Sequence, residues 1–176
     1  MAEPLRPTPA KVYGRENWIF CPTMASPSAP SVAELTAGSA LDITNIAFAD
    51  GAPTPSQSTN LVAQPKRLGD TTEQQFVGTT TYGGGEMTYA LSPQAAAGSD
   101  GKKAWEALGA GVTGFLVRRM GVTKSTTVTT GQFVDVYPVE FGPSMPTKSG
   151  DGEAAESAAT ATFAVTGAPQ FLKAVA

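Results

Sequence analysis

Apolar and polar residues alternate most regularly in two places along the chain. Over residues 86–91, Met87, Tyr89 and Leu91 take one side while Glu86 and Thr88 take the other, which predicts a half-buried strand. Over residues 157–165, Ala159, Ala161, Phe163 and Val165 alternate with Ala158, Thr160 and Thr162, predicting a second. The central runs, residues 112–121 (VTGFLVRRMG) and 132–141 (QFVDVYPVEF), alternate less cleanly. Both are rich in Val, Phe and Tyr, and a polar Thr/Lys/Ser segment joins them, so they read as strand, loop, strand. In the second run Phe133, Tyr137, Val139 and Phe141 fall on one face, Val134 and Val136 on the other. A strand apolar on both faces must be covered on both. A chain of 176 residues has little material to spare for that, so the pattern predicts burial against another copy of the chain.

The remaining elements follow from local signals. Residues 17–24 form a first strand closed by Pro22, with a buried Cys21 inside it. Ser31-Val-Ala-Glu34 is a capping box opening a helix of about two turns, with Gly38 as its stop. Residues 41–46 read as a short strand and the Asp50-to-Pro55 stretch as a loop. Residues 57–63 and 71–81 are Thr-rich, weakly patterned strands, a type that specifies register poorly and suits projecting hairpins or loops ordered by a partner. Gly83-Gly84-Gly85 lacks the Gly-Lys-Ser/Thr of a phosphate loop and predicts either a flexible strand start or a close backbone approach. Ser99 or Asp100 caps a helix over residues 101–108, with Ala104, Trp105 and Leu108 on one face and Trp105 as its anchor. Residues 171–175 add an edge strand. Residues 1–15 are Pro-rich and aperiodic, an extended arm. The expected fold is mainly β: an antiparallel β-sandwich or barrel with one flanking short α-helix and a long loop, forming a single domain over residues 16–176.

Composition sharpens this picture. Nineteen Gly and fourteen Pro favour short strands and many turns, and only 15% of residues are charged, against about 25% in typical soluble domains. Either part of the surface is buried in assembly, or the domain is a Thr/Ser-rich β-fold solvated by hydroxyls instead of charges. A net charge of −3 argues against a nucleic-acid binder, which needs clustered Lys and Arg. The Pro-broken start contains no secretory apolar core, and no run reaches membrane-spanning length, so a cytosolic site of synthesis and no membrane partner are expected.

Candidate chemistry is sparse. Histidine is absent, which removes the usual general base and zinc ligand. Ser99-x-x-Lys102 with Lys148-Ser149-Gly150 echoes a penicillin-interacting pattern, but the third element of that set is missing and Asp100-Gly101 makes Ser99 a turn residue. Asp135 and Glu140 lie five apart on one strand and point to opposite faces. Glu153 and Glu156 sit in a Gly/Ala-rich turn and strand start. No catalysis, metal or cofactor is expected.

The runs TGFLVRRMG and FVDVYPVEFG, with the upstream SAPSVAELTAGSALDIT, resemble the tail tube (major tail) proteins of long-tailed bacteriophages, particularly those of actinobacteria. Trp18, Pro30, Glu34, Leu35, Gly38, Gly114, Arg118, Asp135, Tyr137 and Pro138 match that family's order, and the likeness covers residues 17–165. The resemblance implies a structural virion protein, assembled in the host cytoplasm as stacked homo-hexameric rings that form a conduit for DNA. Its implied partners are other copies, the tape measure, the tail terminator and the tail tip, with genomic DNA passing through unbound. It also implies that a loop, placed here at residues 50–70, packs against the next ring. Glu86, Asp135, Glu140 and Glu156, being acidic residues on strands, are the candidates for the bore. Trp18, Trp105, Phe115, Tyr137 and Phe163 are the candidates for core or assembly contacts. The alternative is a soluble β-sandwich that binds a glycan or cell-surface partner through an exposed platform built on Trp18 and Trp105.

Overall fold

A computed structural model describes residues 11–176; most of the expected arm lies outside them. The strands are β1 (Glu16–Cys21), β2 (Leu41–Asp42), β3 (Ser56–Ala63), β4 (Gln75–Gly83), β5 (Gly85–Ala90), β6 (Thr113–Met120), β7 (Phe133–Phe141), β8 (Met145–Ser149), β9 (Glu156–Val165) and β10 (Gln170–Ala174). Two α-helices interrupt them, α1 (Val32–Leu35) and α2 (Asp100–Ala107). Eight strands form one antiparallel sheet in the order β2-β1-β6-β7-β9-β5, with β10 added to β7 and β8 to β9; β3 and β4 pair with each other as a separate ribbon.

The sheet curls because its two ends are stitched together. Ile43 N and Thr44 N donate to the Trp18 carbonyl at 3.0 and 3.3 Å on the β1 side. On the β5 side, Ala90 N donates to Ile46 O at 2.8 Å and Phe48 N to Thr88 O at 3.0 Å. Residues 43–48 thus bridge the end strands, and this is why the expected strand over 41–46 stops at Asp42. There Asp42 Oδ1 accepts from Thr44 N at 2.9 Å, an Asx-type turn that diverts the chain.

Inside the curl lies the larger core, built from Trp18, Phe20, Ile43, Met87, Tyr89, Leu116, Tyr137, Val139, Phe141, Ala161 and Phe163. Phe20 meets Phe141 edge-on at 5.3 Å between ring centroids, a favoured aromatic geometry. Ala104 of α2 and its C-cap Leu108 are fully buried here, with Trp105 partly buried beside them. Ser99 makes no side-chain cap bond, contrary to one of the two capping options. The Gly triplet behaves as its composition suggests: a Cβ at Gly84 would sit 1.7 Å from the Phe163 carbonyl oxygen, so only glycine lets β4 run into β5 against β9.

A second core lies on the opposite face of β1, β6 and β7, and it overturns one expectation. Val134, Val136, Val117, Ile19 and Cys21 are covered by Leu35 of α1, by Val128 from the polar loop and by Val175 from the tail. Val134 and Val136 of β7 are therefore covered by the chain itself, and no second copy is needed to bury them. The covering pieces are short but firmly tied. The α1 capping box is present, with Ser31 N donating to Glu34 Oε2 at 2.8 Å and Glu34 N to Ser31 Oγ at 3.3 Å. The helix has one turn, ending at Thr36 rather than Gly38. Glu34 Oε1 also accepts from Ala25 N at 2.6 Å, and these bonds hold its carboxyl below the usual carboxylate range. Asn17 Nδ2 and Arg119 pin the loop by donating to the Val122 and Thr126 carbonyls at 2.7 Å each.

Candidate assembly surfaces

Strands β7 and β8 form one long strand along a single edge of β9. Phe141 pairs with Phe163 and Met145 with Thr160, so Gly142-Pro143-Ser144 carries one residue more than its partner and forms a bulge. One row of the sheet crosses four strands: Glu86 of β5 opposes Thr162 of β9, and Ala164 of β9 opposes Glu140 of β7, which opposes Thr113 of β6. All five of these side chains are exposed. Further along β9, Glu156 lies an even number of residues from Thr162 and so shares this face; it too is exposed. The result is an open face of hydroxyl, methyl and carboxylate groups backed by the larger core.

Asp135 does not share that face. It is 4% exposed, on the side of β7 that carries Tyr137. Its Oδ2 accepts from Arg118 Nη2 at 2.9 Å and Nε at 3.2 Å, and its Oδ1 accepts from Leu172 N at 2.9 Å. Among the described residues Leu172 is the one non-glycine with positive φ, at 50°, within the irregular step of β10 between Gln170 and Lys173. Among the sequence-derived bore candidates, then, Asp135 has its charge committed inside the chain. Sequence spacing put it opposite Glu140 but carried no signal for these partners, which lie 17 and 37 residues away.

The aromatic candidates join this node. Trp18, 3% exposed, lies 5.9 Å from Tyr137, and the Arg118 guanidinium sits 5.6 and 5.8 Å from their ring centroids, within cation–π range. Burial pushes the Tyr137 hydroxyl above its ordinary pKa, opposed by Arg118. Phe171 lies against Tyr137 at 5.8 Å and near Tyr82 of β4 at 6.4 Å. Phe163 is buried, while Phe115 is partly buried against the second core. Trp18 and Trp105 form no exposed platform of the kind a glycan-binding module needs.

The β3–β4 ribbon is largely exposed. The strands expected over residues 57–63 and 71–81 are β3 and β4, and the segment 50–70, expected as a long loop, holds β3 between a short 3-10 turn (Ala49–Gly51) and the ribbon's apex. Neither β3 nor β4 contains a charged residue or a proline, yet nearly every position is exposed. Leu61 opposes Val77, and Val62 opposes Phe76. Their exposures are 57%, 75%, 47% and 57% in that order. Exposed, uncharged strands that carry apolar pairs such as these are aggregation-prone unless a partner covers them. Among the described residues no group of acidic, Cys or His side chains is placed to hold a metal, and no helix is long and apolar enough to cross a membrane.

Comparison with known proteins gives no match among curated proteins. Among solved structures, the chain is similar to the SPP1 tail tube, determined by solid-state NMR and cryo-EM. The identity is 12%, the TM-score 0.47, and the match covers 93% of this chain and 79% of that one. A family model described as phage tail tube protein matches residues 6–176, nearly the whole chain, and the protein therefore belongs to the phage tail tube family: it is a structural component of the virion that builds a tube with copies of itself and joins other tail proteins.

Proposed function

We propose that the chain assembles as hexameric rings stacked into a tube whose bore conducts DNA, and that it catalyses nothing. The observation that carries this reading is the open face running across β5, β9, β7 and β6. Four strands from each of six copies make 24, and at about 4.8 Å per strand they enclose a circumference of at least ~115 Å. That corresponds to a backbone diameter of about 37 Å or more once the strands tilt, wide enough for duplex DNA after inward side chains are subtracted. The wall would present Glu86, Glu140 and Glu156 among threonines and alanines, with Asp135 left out because its charge is already paired. Six copies at −3 each give −18 per ring, which repels phosphate weakly and evenly, as a conduit should. Residues 16–176 act as one tube domain. The β3–β4 ribbon reaches the next ring, and the tape measure, terminator and tip proteins meet the tube's ends.

Cryo-electron microscopy of the purified protein tests this reading. Six-fold rings with Glu86, Glu140 and Glu156 on the inner wall are expected. A monomer that persists at high concentration, a different ring symmetry, or a tube with these carboxylates on its outside would refute it.

A further inference from the structure

We infer that Asp151 is a site of spontaneous backbone modification: in the folded chain the Asp151-Gly152 step converts to isoaspartate, while packing holds the Asp50-Gly51 and Asp100-Gly101 steps back. The reaction needs one chain and water, so it is independent of tube formation.

The residue pair sets the chemistry. The Gly152 nitrogen attacks Cγ of the protonated Asp151 carboxyl. An N–Cγ bond forms, the Cγ–OH bond breaks, and the hydroxyl leaves with the nitrogen's proton as water. The product is a five-membered succinimide. Water then opens the ring at either carbonyl, restoring aspartate or leaving a main chain that runs through Cγ as isoaspartate. One water is lost and one is gained, so mass and charge do not change. Glycine favours ring closure because it has no Cβ to obstruct the turning nitrogen and tolerates the backbone rotation. The sequence holds three such steps, at residues 50–51, 100–101 and 151–152. All three aspartates are exposed, so the carboxylates alone do not discriminate among them.

The glycines do. Ring closure swings the glycine nitrogen about the aspartate Cα–C bond, which takes room. Gly51 N is held by a hydrogen bond to Phe48 O at 3.0 Å, and a Cβ built on Gly51 would lie 2.6 Å from Thr88 Cβ. Gly101 lies in the first turn of α2, bracketed by the bond from Lys103 N to Ser99 O at 2.9 Å. A Cβ there would lie 2.8 Å from Ala90 O. Both glycines are thus pressed against neighbouring backbone, and their steps react only through local opening. Gly152 meets nothing within 4 Å. It sits in the loop beyond the last β8–β9 pair, Ser149 with Glu156, at a φ of 64°, and Gly150 on the other side of Asp151 has a φ of 78°. Asp151 is extended, with φ −129° and ψ 157°. Its side chain is 99% exposed and meets Lys148 Nζ at 3.5 Å, a surface pair too weak to hold it in place. Isoaspartate adds one backbone carbon to this loop, where the open space absorbs it and the Ser149–Glu156 pair keeps its register. Folding therefore does not select against the product, which accumulates as the chain ages.

Ageing in heavy-oxygen water tests the assignment. Purified protein is held for several weeks at physiological temperature, digested, and its peptides sequenced by electron-transfer mass spectrometry, which separates isoaspartate from aspartate. Isoaspartate carrying one heavy oxygen is expected at residue 151, on the order of tenfold or more above the level at 50 or 100, since each tenfold needs only about 1.4 kcal/mol of opening cost. Protein kept unfolded in urea should lose the preference, with the three steps reacting alike. Asp151→Glu keeps the charge but would have to close a six-membered ring, so it should abolish the product at 151 and leave the melting temperature unchanged. Unaltered aspartate at 151, or equal conversion at 50 or 100 in the folded protein, would overturn the assignment. So would a preference for 151 that persists in urea, because the local sequence rather than the fold would then set the rate.

Discussion

Replacing Asp135 distinguishes a structural carboxylate from a bore-lining one. Asp135→Ala removes the ion pair with Arg118 and strips the Leu172 N–H of its acceptor. The Arg118 side chain is 26% exposed, so water relieves part of its loss. The cost falls between the ~0–1 kcal/mol of a surface pair and the 3–5 kcal/mol of a broken buried one, or about 1–2 kcal/mol. An unsatisfied, partly buried N–H adds about 1–2 kcal/mol. The sum, about 2–4 kcal/mol, lowers the melting temperature of a domain this size by roughly 5–15 °C. Asp135→Asn keeps an oxygen for Leu172 and loses only the charge, so it should cost about half as much. Urea unfolding followed by tryptophan fluorescence, at a dilution where the protein is dispersed, measures both. Because the pair is largely shielded, the difference should change little between low and high salt. If Asp135→Ala cost less than about 1 kcal/mol, the carboxylate would not be structural and its exclusion from the bore would collapse. If Asn were as harmful as Ala, the Leu172 bond would contribute nothing.

Two further outcomes follow from the same geometry. Leu172 is 68% exposed at a φ of 50°, so Leu172→Gly should be neutral or stabilising by about 1 kcal/mol, because glycine accepts the left-handed conformation without strain; a clear loss of stability would show that the leucine packs. Burial pushes the Cys21 thiol up to about 12, helped by Glu34. A thiol reagent at pH 8 should therefore label only unfolded protein, and rapid labelling of the native chain would contradict its burial. The sign for stability follows from the raised value: the unfolded thiol ionises first, so stability is intact below pH ~9 and falls as pH rises toward 12. Cys21→Ala should make that alkaline loss shallower.

Local periodicity was enough to read β5 and β9 with their inward faces, and spacing alone revealed the Ser31–Glu34 capping box. Those features depend on residues a few positions apart, whose directions the backbone geometry dictates. The apolar character of both faces of β7 was also legible, but what covers the second face was not. Leu35, Val128 and Val175 reach it from three distant parts of the chain, and no local pattern encodes such a closure. The same limit hid the partners of Asp135, which are set by how β6 and β10 flank β7. Strands were legible at residues 57–63 and 71–81, but their pairing into one ribbon is a long-range choice that local pattern does not encode. The amino-acid order by itself determined where strands form and which way their side chains point. Tertiary structure decided which faces the chain covers internally, and so which surface, the β3–β4 ribbon, it leaves exposed.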